Sequence, residues 1–264
     1  MLRPRIIPCL LVRNGGLVKT VEFKDGKYVG DPINAVKIFN EKEADELMVL
    51  DIDATINGSE PNYKMIADLA AECRMPLSYG GGIKTVAQAK RIIGLGVEKV
   101  AISSAAIHDS SLITQTANEI GSQSVVVVLD VKKAASGDGY EVWTHNATVN
   151  SKLCPFRLAE QVQSLGAGEI VINAIACDGK MKGYDLPLAI AMRTRIDIPM
   201  TILGGAGSLH DLEKLIASCG VVGAAAGSLF VFKGPYKAVL INYPNRQQKD
   251  DLIRSALLAN SSNH

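Results

Sequence analysis

At 264 residues the chain is long enough for two small domains or one large one, and 47% hydrophobic against 21% charged residues fits an ordinary compact body. With 28 Lys and Arg against 27 Asp and Glu, the net charge of +1 provides no global field for a nucleic acid backbone or an anionic membrane, although a local phosphate site is compatible with it. Five cysteines (Cys9, Cys73, Cys154, Cys177, Cys219) are odd in number and widely spaced, with no C-x-x-C pair and four histidines, which points to reduced thiols in a cytoplasm and to no metal site or other cofactor. Ile6 to Val12 is too short for a signal-peptide core, and no run reaches 18 apolar residues.

Apolar, β-branched runs predict eight strands, in chain order Ile6–Leu11, Leu47–Ile52, Pro76–Tyr79, Lys99–Ile102, Val125–Val131, Glu169–Ile172, Met200–Leu203 and Val221–Ala225. Between them, Tyr63–Glu72, Val86–Leu95, Ser111–Ile120, Leu158–Leu165 and Leu212–Ala217 carry apolar residues at helical spacing. Lys249–Leu258 reads as a last helix, with Ser261–His264 frayed beyond it. Continuous apolar strands alternating with helices imply a parallel sheet covered on both faces, and eight such units in one domain over residues 1–264 predict an α/β fold, a closed (β/α)₈ TIM barrel.

An internal repeat supports two half-barrels. Glu46–Asp51 recurs 123 residues later as Glu169–Ala174, and the same offset carries Pro76–Gly82 onto Pro199–Gly205 and Lys99–Ser104 onto Val222–Gly227. Two stretches break the alternation: Asn14–Asp31, rich in Gly and Lys, and Lys132–Asn150, where Ser136-Gly-Asp-Gly139 and the alternating Tyr140–Thr144 suggest a small hairpin. Both follow barrel strands, on the side where such folds build active sites.

Each half offers a glycine loop and a second N–H and hydroxyl source, Gly81 and Gly82 with Ser103 and Ser104, then Gly204 and Gly205 with Gly227 and Ser228. Such pairs suit a ligand with a phosphate at each end, unless the glycines only permit tight turns. Asp130, Asp51 and Asp178 stand where acid–base or substrate-binding groups would project into the mouth. Asp130 follows the all-apolar Val125–Leu129, a place where a carboxylate is costly unless it faces a polar pocket; Leu11 is its counterpart in the first strand. Asp51 and Asp178 are equally readable as turn residues, since Asp178-Gly179 is a turn signal. Arg5, Glu46, Lys99 and Glu169 alternate in sign at the opposite strand ends, as a ring plugging the barrel or as a plain ion-pair network. His108, His145 and His210 have no partners at metal-ligand spacing and read as surface or cap residues.

The motifs Arg5–Leu10, Val18-Lys19, Gly30–Pro32, Ala44–Leu47, Gly80–Ile83, Lys99, Gly121–Gln123, Asp130, Gly166–Ile170, Asp178-Gly179, Gly183–Asp185 and Gly204–Gly207 together resemble the cyclase subunit of imidazole glycerol phosphate synthase over nearly the whole chain. The resemblance implies a glutaminase partner at the N-terminal face, ammonia passing a gate of Arg5, Glu46, Lys99 and Glu169, and a bisphosphate substrate at the mouth bound near Lys19. It also implies one acid/base aspartate in the first strand and one in the fifth. The second is Asp130; Leu11 holds the first position. Ser103, Ala176 and Leu203 depart from the family's usual Asn, Asp and Ser. Retained gate and altered mouth, with Tyr28–Ile33, Asp51–Asp53 and Pro61–Tyr63, resemble the divergent cyclase-like proteins of bacterial surface-polysaccharide gene clusters, implying ammonia supply to a separate sugar amidotransferase. A working cyclase of histidine biosynthesis and a non-catalytic assembly scaffold are the alternatives.

Overall fold

In the computed structural model, which describes residues 3–137 and 139–261, eight parallel strands close into a barrel: Arg5–Arg13, Leu47–Asp51, Leu77–Gly80, Lys99–Ile102, Val125–Lys133, Glu169–Ala174, Met200–Leu203 and Gly223–Ala226. Each pairs with the next, and the eighth pairs back on the first, with Arg5 opposite Gly223. Helices cross between successive strands and cover the outside, as a parallel sheet requires. This is the (β/α)₈ barrel predicted from the strand and helix alternation.

The period of two along a strand sorts side chains into two cores. Ile6, Leu10, Val125, Val127 and Leu129 face outward into the layer between strands and helices. Ile7, Cys9, Met48, Val126, Val128 and Val171 fill the barrel interior, with Leu11 and Leu50 packed on top of them. The same alternation turns Leu11 and Asp130 inward, on strands that lie across the barrel from one another.

The repeat extends to the helix starts. Thr85 and Ser208, 123 residues apart, both form capping boxes in which the residue three positions on, Gln88 or Asp211, returns the bond to the cap. Helices Pro32–Glu41 and Leu186–Arg193, which apolar spacing did not single out, begin at Asp31 and Asp185 caps. Several elements outrun their predicted ends. The first strand reaches Arg13 and the fifth Lys133, because each continues into an antiparallel hairpin above the barrel. The last strand starts at Gly223 rather than Val221, and the last helix spans Arg246–Ser261, so Ser261 is helical; residues 262–264 lie outside the described ones.

Asn14–Asp31 contains strands Gly16–Val21 and Lys24–Gly30. The second is mostly exposed and its register shifts twice, so it carries no alternating apolar signal. The hairpin expected at Lys132–Thr144 is present, Asp130 opposing Trp143, with Asp138 of its turn outside the described residues. Among the described residues, no helix is long and apolar enough to cross a membrane.

Phe39 is fully buried and meets Tyr243 edge-on at 6.3 Å. Phe39→Ala should lower stability by about 3–5 kcal/mol in urea denaturation, whereas Tyr236→Ala, at a side chain 95% exposed, should change it by less than about 0.5 kcal/mol.

Candidate functional site at the barrel mouth

At the N-terminal end of the barrel, Arg5, Glu46, Lys99 and Glu169 form a closed ring. Arg5 pairs with Glu46 and, at 2.7 Å, with Glu169; Lys99 Nζ reaches both glutamates at 2.8 Å. Repeat-related hydroxyls complete it, Ser78 donating to Glu46 Oε1 (3.1 Å) and Thr201 to Glu169 Oε1 (2.6 Å). Burial pushes the Glu169 carboxyl up, but hydrogen bonds and charge from Arg5 and Lys99 prevail and hold it at about 2. Burial likewise pulls Arg5 down, and the two glutamates raise it above its ordinary value. Arg5 and Glu169 are therefore a charged pair at neutral pH beneath an apolar interior.

The C-terminal end opens into a cavity of about 1280 Å³. Asp130 lies in its floor. Burial pushes its carboxyl up to about 7, against an opposing hydrogen bond from Asn173 Nδ2 (2.9 Å) and with a smaller push from Asp178. Leu11 and Leu203 line the same floor with Leu50, so the first strand offers no proton-transfer group opposite Asp130.

Lys19 stands on the hairpin strand Gly16–Val21, 6% exposed, and Nζ donates to the Cys9 carbonyl (2.7 Å). Burial lowers its pKa. A Cβ on Gly227 would lie 2.6 Å from Nζ, so the bare glycine admits this cation beside the second-half loop. Gly81 and Gly205 have φ of +120° and +115°, and a Cβ there would meet Asp51 O at 2.4 Å and Gly183 O at 2.1 Å. These two glycines are thus required by the backbone whether or not an anion binds. Gly82 and Gly204 line the cavity beside them, with Ser228 9% exposed at the second-half helix start. Ser103 Oγ is buried without a partner among the described residues, while Ser104 Oγ accepts from the His145 amide at 3.4 Å.

Asp51 and Asp178 are committed to their surroundings. Asp51 Oδ1 accepts from the amides of Asp53 and Ala54 (both 3.2 Å), and burial still raises its pKa. Asp178 Oδ2 accepts from Thr20 Oγ1 (2.8 Å) and Phe23 N (3.2 Å), tying the sixth-strand loop to the first hairpin. Both still line the cavity, Asp51 half-buried and Asp178 more deeply. His210 is exposed and pairs with Glu213 at 3.3 Å; His108 and His145 are exposed at the cavity rim. Burial raises the Cys177 thiol, which disfavours a reactive thiolate.

Two contributors were missed in the sequence. His145, Asn146 and Ala147 are successive left-handed residues (φ 53°, 52° and 60°), a turn pinned by Asn146 Nδ2 donating to the Ile52 carbonyl at 2.6 Å. Asn173 is the other, and its signal was available: it is an inward polar residue in the apolar run Ile170–Ala174, the same irregularity that exposed Asp130.

The chain matches the family described as histidine biosynthesis protein over residues 5–237. It is 58% identical to a Vibrio vulnificus protein provisionally named imidazole glycerol phosphate synthase subunit hisF3, over 94% of this chain and 96% of that one. A Leptospira interrogans protein provisionally named the HisF subunit is 56% identical over 96% of this chain and 100% of its own. A Pseudomonas aeruginosa protein provisionally named hisF2 is 51% identical over 95% and 99%.

Because burial raises the Asp130 pKa from 3.8 to about 7, the folded chain holds a proton that the unfolded chain releases, and stability from this site falls as pH rises from about 4 to 7. Asp130→Asn should therefore be more stable than wild type at pH 8, by about 4 kcal/mol. Urea denaturation across pH should show the gap closing toward pH 4.

Proposed function

We propose, from the premise that this chain belongs to the histidine biosynthesis protein family and within it to the HisF-type subunits of imidazole glycerol phosphate synthase, that it conducts ammonia for a glutamine amidotransferase pair and has little or no cyclase activity of its own. The observation that carries this reading is the intact ring of Arg5, Glu46, Lys99 and Glu169 beneath an apolar interior that ends at Leu11, across the mouth from Asp130. Stability alone is a weak reason to keep four charges there, since buried ion pairs are often replaceable by apolar residues at no loss. A charged plug that opens only when a partner docks is a better reason. Uncharged ammonia passes Ile7, Met48, Val126 and Val171 at little cost, whereas ammonium would have to be desolvated.

The ring faces the end where a HisH-type glutaminase would dock, and the mouth faces the acceptor. A cyclase needs a proton donor and acceptor on both sides of its substrate; here one side is Asp130 and the other is leucine. The ammonia is then free to serve a third protein, a sugar amidotransferase that forms an acetamidino group on a surface-polysaccharide sugar. Numbering of relatives as hisF2 and hisF3 is in keeping with a second copy released from histidine synthesis. The glycine loops with Lys19 still suit a phosphorylated small molecule at the mouth.

One observation favours a working cyclase instead: a carboxyl poised near pH 7 at Asp130 is suited to general acid–base work at neutral pH.

Restoring the missing group separates the two readings. Leu11→Asp should raise ammonium-driven conversion of the family's open-chain bisphosphate aminoimidazole by about 10² or more over wild type, read as imidazole glycerol phosphate formed. An unchanged rate would move the lesion to Ser103, Ala176 or Leu203, and an already fast wild type would leave the cyclase reading standing.

A further inference from the structure

Of the buried polar atoms that line the mouth, two have no hydrogen-bond partner among the described residues, Ser103 Oγ and Asn173 Oδ1. A serine hydroxyl can rotate to donate or accept, so it selects little. An amide oxygen can only accept. Asn173 is 6% exposed and stands beside Asp130 in the ladder between the sixth and fifth strands. Its Nδ2 donates to Asp130 Oδ1 at 2.9 Å, which turns Oδ1 the other way, toward the second-half glycine loop. A Cβ on Gly204 would lie 3.2 Å from that oxygen. A buried acceptor without a donor is costly, and the neighbouring Ile170, Val171 and Ile172 show that this strand readily takes apolar residues.

We infer that Asn173 sets the specificity of the mouth, its free Oδ1 accepting a hydrogen bond from an O–H or N–H group of a ligand whose phosphate lies in the Gly204 and Gly205 loop. This rests on the phosphate reading of that loop given above. Leu11, Leu50 and Leu203 in the floor are apolar and cannot compete for the donor, and Asp130, the neighbouring acceptor, is the competitor that the test controls for. Lys19 Nζ, beside Gly227, holds the phosphate end. A ligand with the phosphate but no donor next to it leaves Oδ1 desolvated and unpaired, which is the arrangement that discriminates most strongly between otherwise similar ligands.

The test uses two small probes, 2-hydroxyethyl phosphate and ethyl phosphate, titrated into the full chain at pH 8 and followed by NMR. Wild type should bind the hydroxylated compound about tenfold more tightly. The preference should vanish in Asn173→Leu and in the smaller Asn173→Ala, and persist in Asp130→Asn, which keeps the Asn173 acceptor. Equal binding of the two probes by wild type, or a preference surviving in either folded Asn173 variant, would overturn this inference alone. Binding of neither probe would overturn the phosphate reading and this inference with it.

Discussion

Two glutamates less than 4% exposed at the base of an apolar barrel are each bridged by both Arg5 and Lys99, and without those partners their burial would be costly. Everything above that ring follows from its placement. The barrel interior above it is apolar, so the first polar side chains of the strands met on the way to the mouth are Ser103, Asp130 and Asn173. The ring uses both halves of the repeat unequally: each half gives one glutamate and one hydroxyl, whereas both cations come from the first half. The acceptors are thus repeat-related, whereas the cations that bridge them are not.

The mouth has diverged along the opposite line. Adjacent strands four, five and six contribute Ser103, Asp130 and Asn173, while strands seven, one and two contribute Leu203, Leu11 and Leu50. One arc is polar and the facing arc is apolar. In the floor, Asp130, whose carboxyl burial pushes up to about 7, faces Leu11 rather than a second carboxylate. The leucine arc offers no hydrogen bond to anything that reaches this floor.

The barrel was legible in the sequence because its strands are buried on both faces and read as unbroken apolar runs, and because the 123-residue repeat carries even the capping residues Thr85 and Ser208. Lys24–Gly30 was not legible, since an exposed hairpin strand with a shifted register has no periodic signature. Asp51 and Asp178 looked alike as carboxylates at strand ends, and their hydrogen bonds to loop amides and to Thr20 depend on folds of the chain that spacing does not record. Asn173 is less legible because a lone amide in the apolar run Ile170–Ala174 is a weaker signal than the carboxylate that ends Val125–Leu129, its burial costing less than that of a charge.

The most direct measurement of whether this barrel has given up cyclase chemistry needs only the purified wild-type chain, excess ammonium and the open-chain bisphosphate aminoimidazole. No imidazole glycerol phosphate should form while circular dichroism shows the barrel folded. Turnover at roughly 1 s⁻¹ or faster, the range of an ordinary enzyme, would contradict that claim and make Leu11 a tolerated residue in a working cyclase.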